Sequence, residues 1–193
     1  MSYPTLLRIL FTCAALLSGV ACGSAAAQQQ RERETLRRDA SAGALVERAD
    51  AAASVGDMTR AEQYYVAAIE AGGLEKPLVK RLLLVCVADQ RYPVAAQYAE
   101  QYLRRHPRDW EISFAAASIQ AALGQHQQAQ LLLERVVEKR PASAEAHYAL
   151  SSVLRERGQA LEVADVHDLQ YLKLKPDGPL AEAARARLTR PAP

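Results

Sequence analysis

Four residues of this chain, Gly124, Ala129, Val137 and Pro141, recur in kind at a constant interval, and that interval restricts the fold more than any other feature. Moving 34 residues toward the N-terminus reaches Gln90, Ala95, Leu103 and Pro107, and a further 34 reaches Gly56, Ala61, Ile69 and Gly73. Toward the C-terminus the series continues with Gly158, then, after one added residue, Ala164, Leu172 and Pro176. Four copies at a period in this range mean stacked supersecondary units, each of which buries its apolar face against its neighbours.

Each residue of the series has a physical reading. An apolar helical pattern ends at "SVGD", "ADQR", "ALGQ" and "ERGQ", where glycine permits the left-handed conformation that closes a helix. The alanine five or six residues later allows two helix backbones to approach closely. The proline at the end cannot continue a helix, and it pushes the residue before it toward extended geometry. The predicted unit is two antiparallel helices with short connections. Composition agrees, since Ala, Leu, Glu, Arg and Gln dominate and all favour helix. No alternating run of β-branched residues suggests a sheet.

This unit resembles the tetratricopeptide repeat (TPR). The match is best in "AHYALSSVLRERG", with Leu150, Ser151 and Leu154 at the family spacing, and in "RAEQYYVAAIEAG", with Ala61, Tyr65 and Ala68 in place. Arg48 and Gln120 depart from the family pattern at positions it makes apolar, and Asp168 replaces the usual aromatic. The resemblance covers about residues 42–176. It implies an all-α, right-handed superhelix of four units, at about 42–75, 76–109, 110–143 and 144–177. "DGPLAEAARARL" then reads as a capping helix over 178–189, with Pro179 in its first turn and a charged outer face.

The N-terminal stretch has one positive charge, an apolar run from Ile9 to Ala21 and then small residues, which is the order of a secretory signal. Two exits compete. "LSGVAC" resembles the lipobox of bacterial lipoproteins, which would make residues 1–21 the signal and a lipidated Cys22 the first mature residue; Gly19 departs from that pattern. "AAAQ" offers an A-x-A site that would remove residues 1–27. The lipoprotein exit is preferred, with 22–41 as a polar tether to the membrane and several acyl chains as the anchor. The protein is then expected in the periplasm, attached to the outer membrane. Of the three cysteines only Cys86 remains in the body of the chain, so no intramolecular disulfide framework is expected.

Chemistry-bearing motifs are scarce. His106, His126, His147 and His167 lie about 20 residues apart on different helices or at helix ends, with no i, i+4 pair, and imply no metal site. No phosphate loop, nucleophile elbow or cysteine pair is present, so neither catalysis nor a cofactor is expected. Of 24 Lys and Arg, Arg8 lies in the leader, which leaves 23 against 22 Asp and Glu. That balance lacks the basic footprint of nucleic-acid binding.

The TPR resemblance directs attention to the concave wall built by the first helix of each unit, where ligand segments of the family generally lie. By register the wall includes Val46 and Asp50, then Lys80, Leu84 and Val87, then Phe114, Ser118 and Ala121, and finally Tyr148, Ser152 and Arg155. Lys80 is the sole match in the first three units to the Asn and Lys/Arg clamp that grips chaperone tails. An apolar groove for an extended or helical protein segment is expected instead, with Phe114 and Tyr148 either as anchors or as packing between units. The function implied is a non-enzymatic protein-interaction scaffold of the cell envelope, assisting assembly of an outer-membrane complex as pilotins of type IV pilus secretins do. The alternatives are a soluble periplasmic adaptor and an accessory subunit of a cell-wall enzyme. Neither the partner nor the oligomeric state follows from the sequence.

Overall fold

The turn residue of each repeat sets the local structure. The computed structural model describes residues 30, 31, 34, 41–158 and 161–188; the leader, Cys22 and most of the tether, on which the export and lipidation expectations rest, lie outside the described residues. Four helix pairs follow one another: α1 (Ala42–Ser54) with α2 (Met58–Glu70), α3 (Glu75–Ala88) with α4 (Tyr92–Arg105), α5 (Trp110–Ala122) with α6 (His126–Lys139), and α7 (Ala144–Glu156) with α8 (Leu161–Leu174). A shorter helix, α9 (Ala181–Leu188), packs on α8. The described residues contain no strand, and the fold is an all-α solenoid.

Gly56, Gln90, Gly124 and Gly158 have φ of 83°, 57°, 73° and 62°. This left-handed step turns the next N–H back onto the helix just completed. The Asp57 N–H donates to the Ala52 carbonyl at 2.9 Å, that of Arg91 to Cys86 at 2.8 Å and that of Gln125 to Gln120 at 2.9 Å. Such a closure satisfies carbonyls that the helix end would leave orphaned, and it reverses the chain within a few residues. The second helix therefore returns antiparallel to the first.

What lets the pairs pack is the recurring alanine. Ala61, Ala95, Ala129 and Ala164 are all fully buried, so the two backbones meet where only a methyl group stands between them. Larger side chains surround each seam: Tyr65, Leu82, Tyr102, Ile112, Leu133, Val136, Leu150 and Tyr171 are nearly or wholly buried. Cys86 belongs to this core as a small hydrophobe, and its burial pushes the thiol up to about 11, out of reach of nucleophilic use. Successive first helices α3, α5 and α7 touch one another and form a continuous wall.

Between units, Asp109 makes a polar joint. Its carboxylate accepts from the N–H groups of Glu111 and Ile112 at the start of α5, at 3.1 and 3.2 Å, and from the Tyr102 hydroxyl at 3.0 Å. Lys76 of α3 adds an ion pair at 3.0 Å. Burial pushes this carboxyl up, but Lys76, the Ile112 N–H and Tyr102 outweigh it and hold it below the usual range. At the far end, Pro179 stands before the capping helix and not in its first turn. The Leu180 N–H donates to the Tyr171 hydroxyl at 3.1 Å, and the helix begins at Ala181.

Gln90 occupies a conformation that costs an L-residue about 1–2 kcal/mol. Gln90→Gly is expected to raise stability by about 0.5–1 kcal/mol after the added freedom of the unfolded glycine is counted. Gly124→Ala, where a new Cβ would meet nothing within 4 Å and only the backbone suffers, should lower it by about 1 kcal/mol. Urea unfolding midpoints of the two variants check both signs.

Candidate functional site: a pocket on the inner wall

Along α3, Lys80, Leu83, Leu84 and Val87 fall at helical spacing on one side of the helix. Across the gap, α5 presents Glu111, Ile112, Ala115, Ser118 and Ile119, and Tyr92 at the start of α4 completes the lining. Together they enclose an open pocket of about 310 Å³. Its base is core: Leu83, Ile112 and Ile119 are buried. At its rim Leu84 is 69% exposed, a large apolar side chain that the protein leaves in water next to an apolar hollow.

The pocket exists because side-chain sizes fail to match across the gap. The ridge that carries Lys80, Leu84 and Val87 on α3 corresponds, one repeat on, to Phe114, Ser118 and Ala121 on α5. In unit two its long members stand at the edge of the gap and meet small residues, Ala115 and Ser118, so space remains between the helices. In unit three the residue equivalent to Lys80 is Phe114. It is half-buried, with Ala121, against a cluster containing Ala117, Leu150, Val153 and Leu154. Phe114 thus packs between units three and four, and it does not line the pocket.

The polar rim is self-neutralised. Lys80 Nζ donates to Glu111 at 2.7 Å, and Lys76 Nζ approaches the other carboxylate oxygen at 3.0 Å. The Lys80 and then the Lys76 hydrogen bonds hold the Glu111 carboxyl below its usual range. Lys80 is therefore engaged inside the fold, which leaves the pocket suited to apolar side chains.

Tyr148, Ser152 and Arg155 sit elsewhere, in a cluster shared with α8 and α9. Asp168 stands in the column that holds Tyr65, Ala99 and Leu133 in the other units, and it is fully buried. Arg155 reaches it at 3.0 Å and also pairs with Asp165. From α9, Arg187 lies 3.6 Å from the other Asp168 oxygen, donates to Ser152 Oγ at 2.9 Å and stacks 4.3 Å above the Tyr148 ring. Tyr148 also packs against Tyr171, with ring centroids 5.5 Å apart. The capping helix therefore engages the fourth unit's share of the wall. Of the eight groove residues expected from sequence, Lys80, Leu84, Val87 and Ser118 line one pocket, Phe114 packs between units, Tyr148 and Ser152 hold the cap, and Arg155 pairs with Asp165 and Asp168 of α8.

Sequence reasoning missed the inner members of the pocket, Leu83, Ile112, Ala115 and Ile119. It also missed that His147 and His167 meet, their Nδ1 atoms 2.9 Å apart. His147 Nε2 faces the Pro141 carbonyl at 3.0 Å and must donate to it, so its Nδ1 accepts from the Nδ1–H of His167. Their nearly equal distances from the turn at Gly158 were the available signal, because antiparallel helices superpose residues mirrored about their connection. Among the described residues no group of three or more His, Cys, Asp or Glu could hold a metal ion.

The model of the tetratricopeptide repeat family matches residues 87–153. Solved structures share the fold over more of the chain. One, described as YrrB, a TPR protein with an unusual peptide-binding site, has 22% identity and a TM-score of 0.67, over 90% of this chain and 88% of that one. MamA from Desulfovibrio magneticus RS-1 has 18% identity and a TM-score of 0.65, over 77% of this chain and 91% of that one. A tetratricopeptide repeat protein from Parabacteroides merdae has 20% identity and a TM-score of 0.69, over 76% and 58%. At these identities the likeness shows the TPR fold. No curated protein matches the chain.

The two buried clusters make separate predictions. Arg155→Ala deprives a fully buried carboxylate of its hydrogen-bonding cation and is expected to cost about 3 kcal/mol, read from chemical unfolding. Burial, and then His147, pull the His167 imidazole below its ordinary 6.5, while Asp168 and Glu134 oppose them. The unfolded chain then binds the proton more readily, so stability is full above about pH 6.5 and falls as acid is added. Melting temperature should drop on going from about pH 7.5 to about pH 5.5, and His167→Asn should flatten that drop.

Proposed function

We propose that this protein is a non-enzymatic interaction scaffold of the bacterial cell envelope that holds an apolar stretch of a partner protein in the pocket between α3 and α5. The observation that carries the reading is that pocket: a concave, almost wholly apolar hollow with an exposed leucine at its rim and its nearby charges already paired. A surface of this kind gains free energy by burying apolar side chains, at about 25 cal/mol per Å² removed from water. It offers no free cation to fix a terminal carboxylate. The peptide-binding site described for YrrB is in keeping with a peptide ligand on this fold.

The envelope assignment rests on the N-terminal sequence alone, with its basic residue, apolar run and Cys22 after a small residue. Lipidated Cys22 would anchor the scaffold at the outer membrane, where it would assist assembly of a larger complex. The A-x-A site at Ala25–Ala27 supports a second form of the same reading, a diffusible periplasmic adaptor.

A photo-crosslinking residue placed at Ser118 in the producing cell tests the pocket. It is expected to give a discrete protein adduct that the same residue at Gln128, exposed on α6, does not give. Leu84→Asp, at a position too exposed to support the core, should reduce the adduct about tenfold without lowering the melting temperature. Equal adducts from Ser118 and Gln128, or an adduct indifferent to Leu84→Asp, would remove the pocket from the function. The intact mass of the purified chain distinguishes an acylated start at Cys22 from a free start at Gln28.

A further inference from the structure

The helix that closes the last repeat, α8, is apolar on two opposite sides. One side is spent inside the fold, where Ala164 and Tyr171 are buried. On the other, Val166 is 61%, Leu169 55% and Val163 47% exposed. The other units do not build this face in the same way. Two residues after the recurring alanine they carry Gln63, Gln97 and Leu131, and five residues after it Val66, Glu100 and Glu134. The fourth unit alone places a large apolar residue at both positions, directly in water. Contiguous apolar side chains left in water mark an interaction surface.

The charges that bracket this stripe indicate what covers it. Glu162, Val166, Leu169 and Lys173 are spaced by four, three and four residues, so they lie along one line of the outer face, with the charges at its two ends. Both charged side chains are exposed, and neither makes an ion pair with any described residue. We propose that this face binds the same face of a second copy of the chain, the two α8 helices lying antiparallel across a two-fold axis between Val166 and Leu169. In that arrangement Val166 of each copy meets Leu169 of the other, and Glu162 meets Lys173. The ion pairs form twice, once at each end of an apolar centre. The parallel alternative sets Glu162 against Glu162 and Lys173 against Lys173, which repels at both ends, so the charges select the antiparallel pair. A pattern that is its own complement under a half-turn is the property an isologous interface requires. No residue of the stripe lines the pocket between α3 and α5, so the pair leaves both pockets free, and this inference stands apart from the proposed function.

A zero-length carbodiimide, which joins a carboxylate to an amine in contact, tests the pairing on the full chain as its host processes it. An equal mixture of nitrogen-15-labelled and unlabelled chains is treated and the linked peptides are read by mass. A Glu162–Lys173 link of mixed isotope is expected, because within one helix these residues stand about 16 Å apart and cannot react with each other. The Lys80–Glu111 pair, 2.7 Å apart within one chain, serves as the internal standard. Leu169→Asp should lower the mixed link at least about tenfold and leave the Lys80–Glu111 link unchanged. The proposal is overturned by a Lys80–Glu111 link without a mixed Glu162–Lys173 link, or by a mixed link that survives Leu169→Asp.

Discussion

The close approach of two helices over a single methyl group governs this molecule. Ala61, Ala95, Ala129 and Ala164 are fully excluded from water, and at each of them one helix of a pair comes near enough to the next for the surrounding leucines, valines and tyrosines to interlock. A bulkier residue there would push the pair apart and strain a core packed to the density of a solid. The left-handed turn sets the direction of return and the alanine sets the distance. Once both are fixed in every unit, the relative placement of neighbouring units follows, and with it the wall on which a partner can lie.

Against that regularity, function resides in the departures. The pocket forms where a repeat places alanine and serine opposite a long-chained ridge, and it vanishes one unit later, where a phenylalanine stands at the lysine position. The cap is held where an aspartate replaces a core residue and draws one arginine from α7 and another from α9 toward its charge. The outer face of α8 alone combines two large apolar residues, Val166 and Leu169, and becomes a surface of another kind. A repeat that kept its consensus in every unit would be a uniform rod with none of these features.

The periodic part of this design was legible in the chain, because it is local. A turn glycine, an alanine five residues later and a terminal proline declare a helix pair without reference to anything distant, and all four turn positions proved left-handed. The pocket was legible by half. Lys80, Leu84, Val87 and Ser118 share a ridge that register alone identifies, whereas Ile112 and Ala115 belong to the pocket through the empty volume between two helices, and volume is not written in a single-helix pattern. Tyr148 and Ser152 read as open groove, because nothing in their own segment reveals that Arg187, on a later helix, reaches back to them. The contact of His147 with His167 was hidden for a related reason, since it reflects the geometry of the reversal at Gly158 and no spacing along one helix.

The link between Asp168 and Arg187 carries a consequence for how the array ends. Each of the first three helix pairs is completed by the pair that follows it, through contacts made within a few dozen residues. The fourth pair differs. Its core contains a carboxylate that Arg155 hydrogen-bonds on one oxygen, while the other oxygen accepts no hydrogen bond and has only the charge of Arg187, 3.6 Å away on α9, beside it. The end of the array is thus fastened by an electric charge that reaches back from α9.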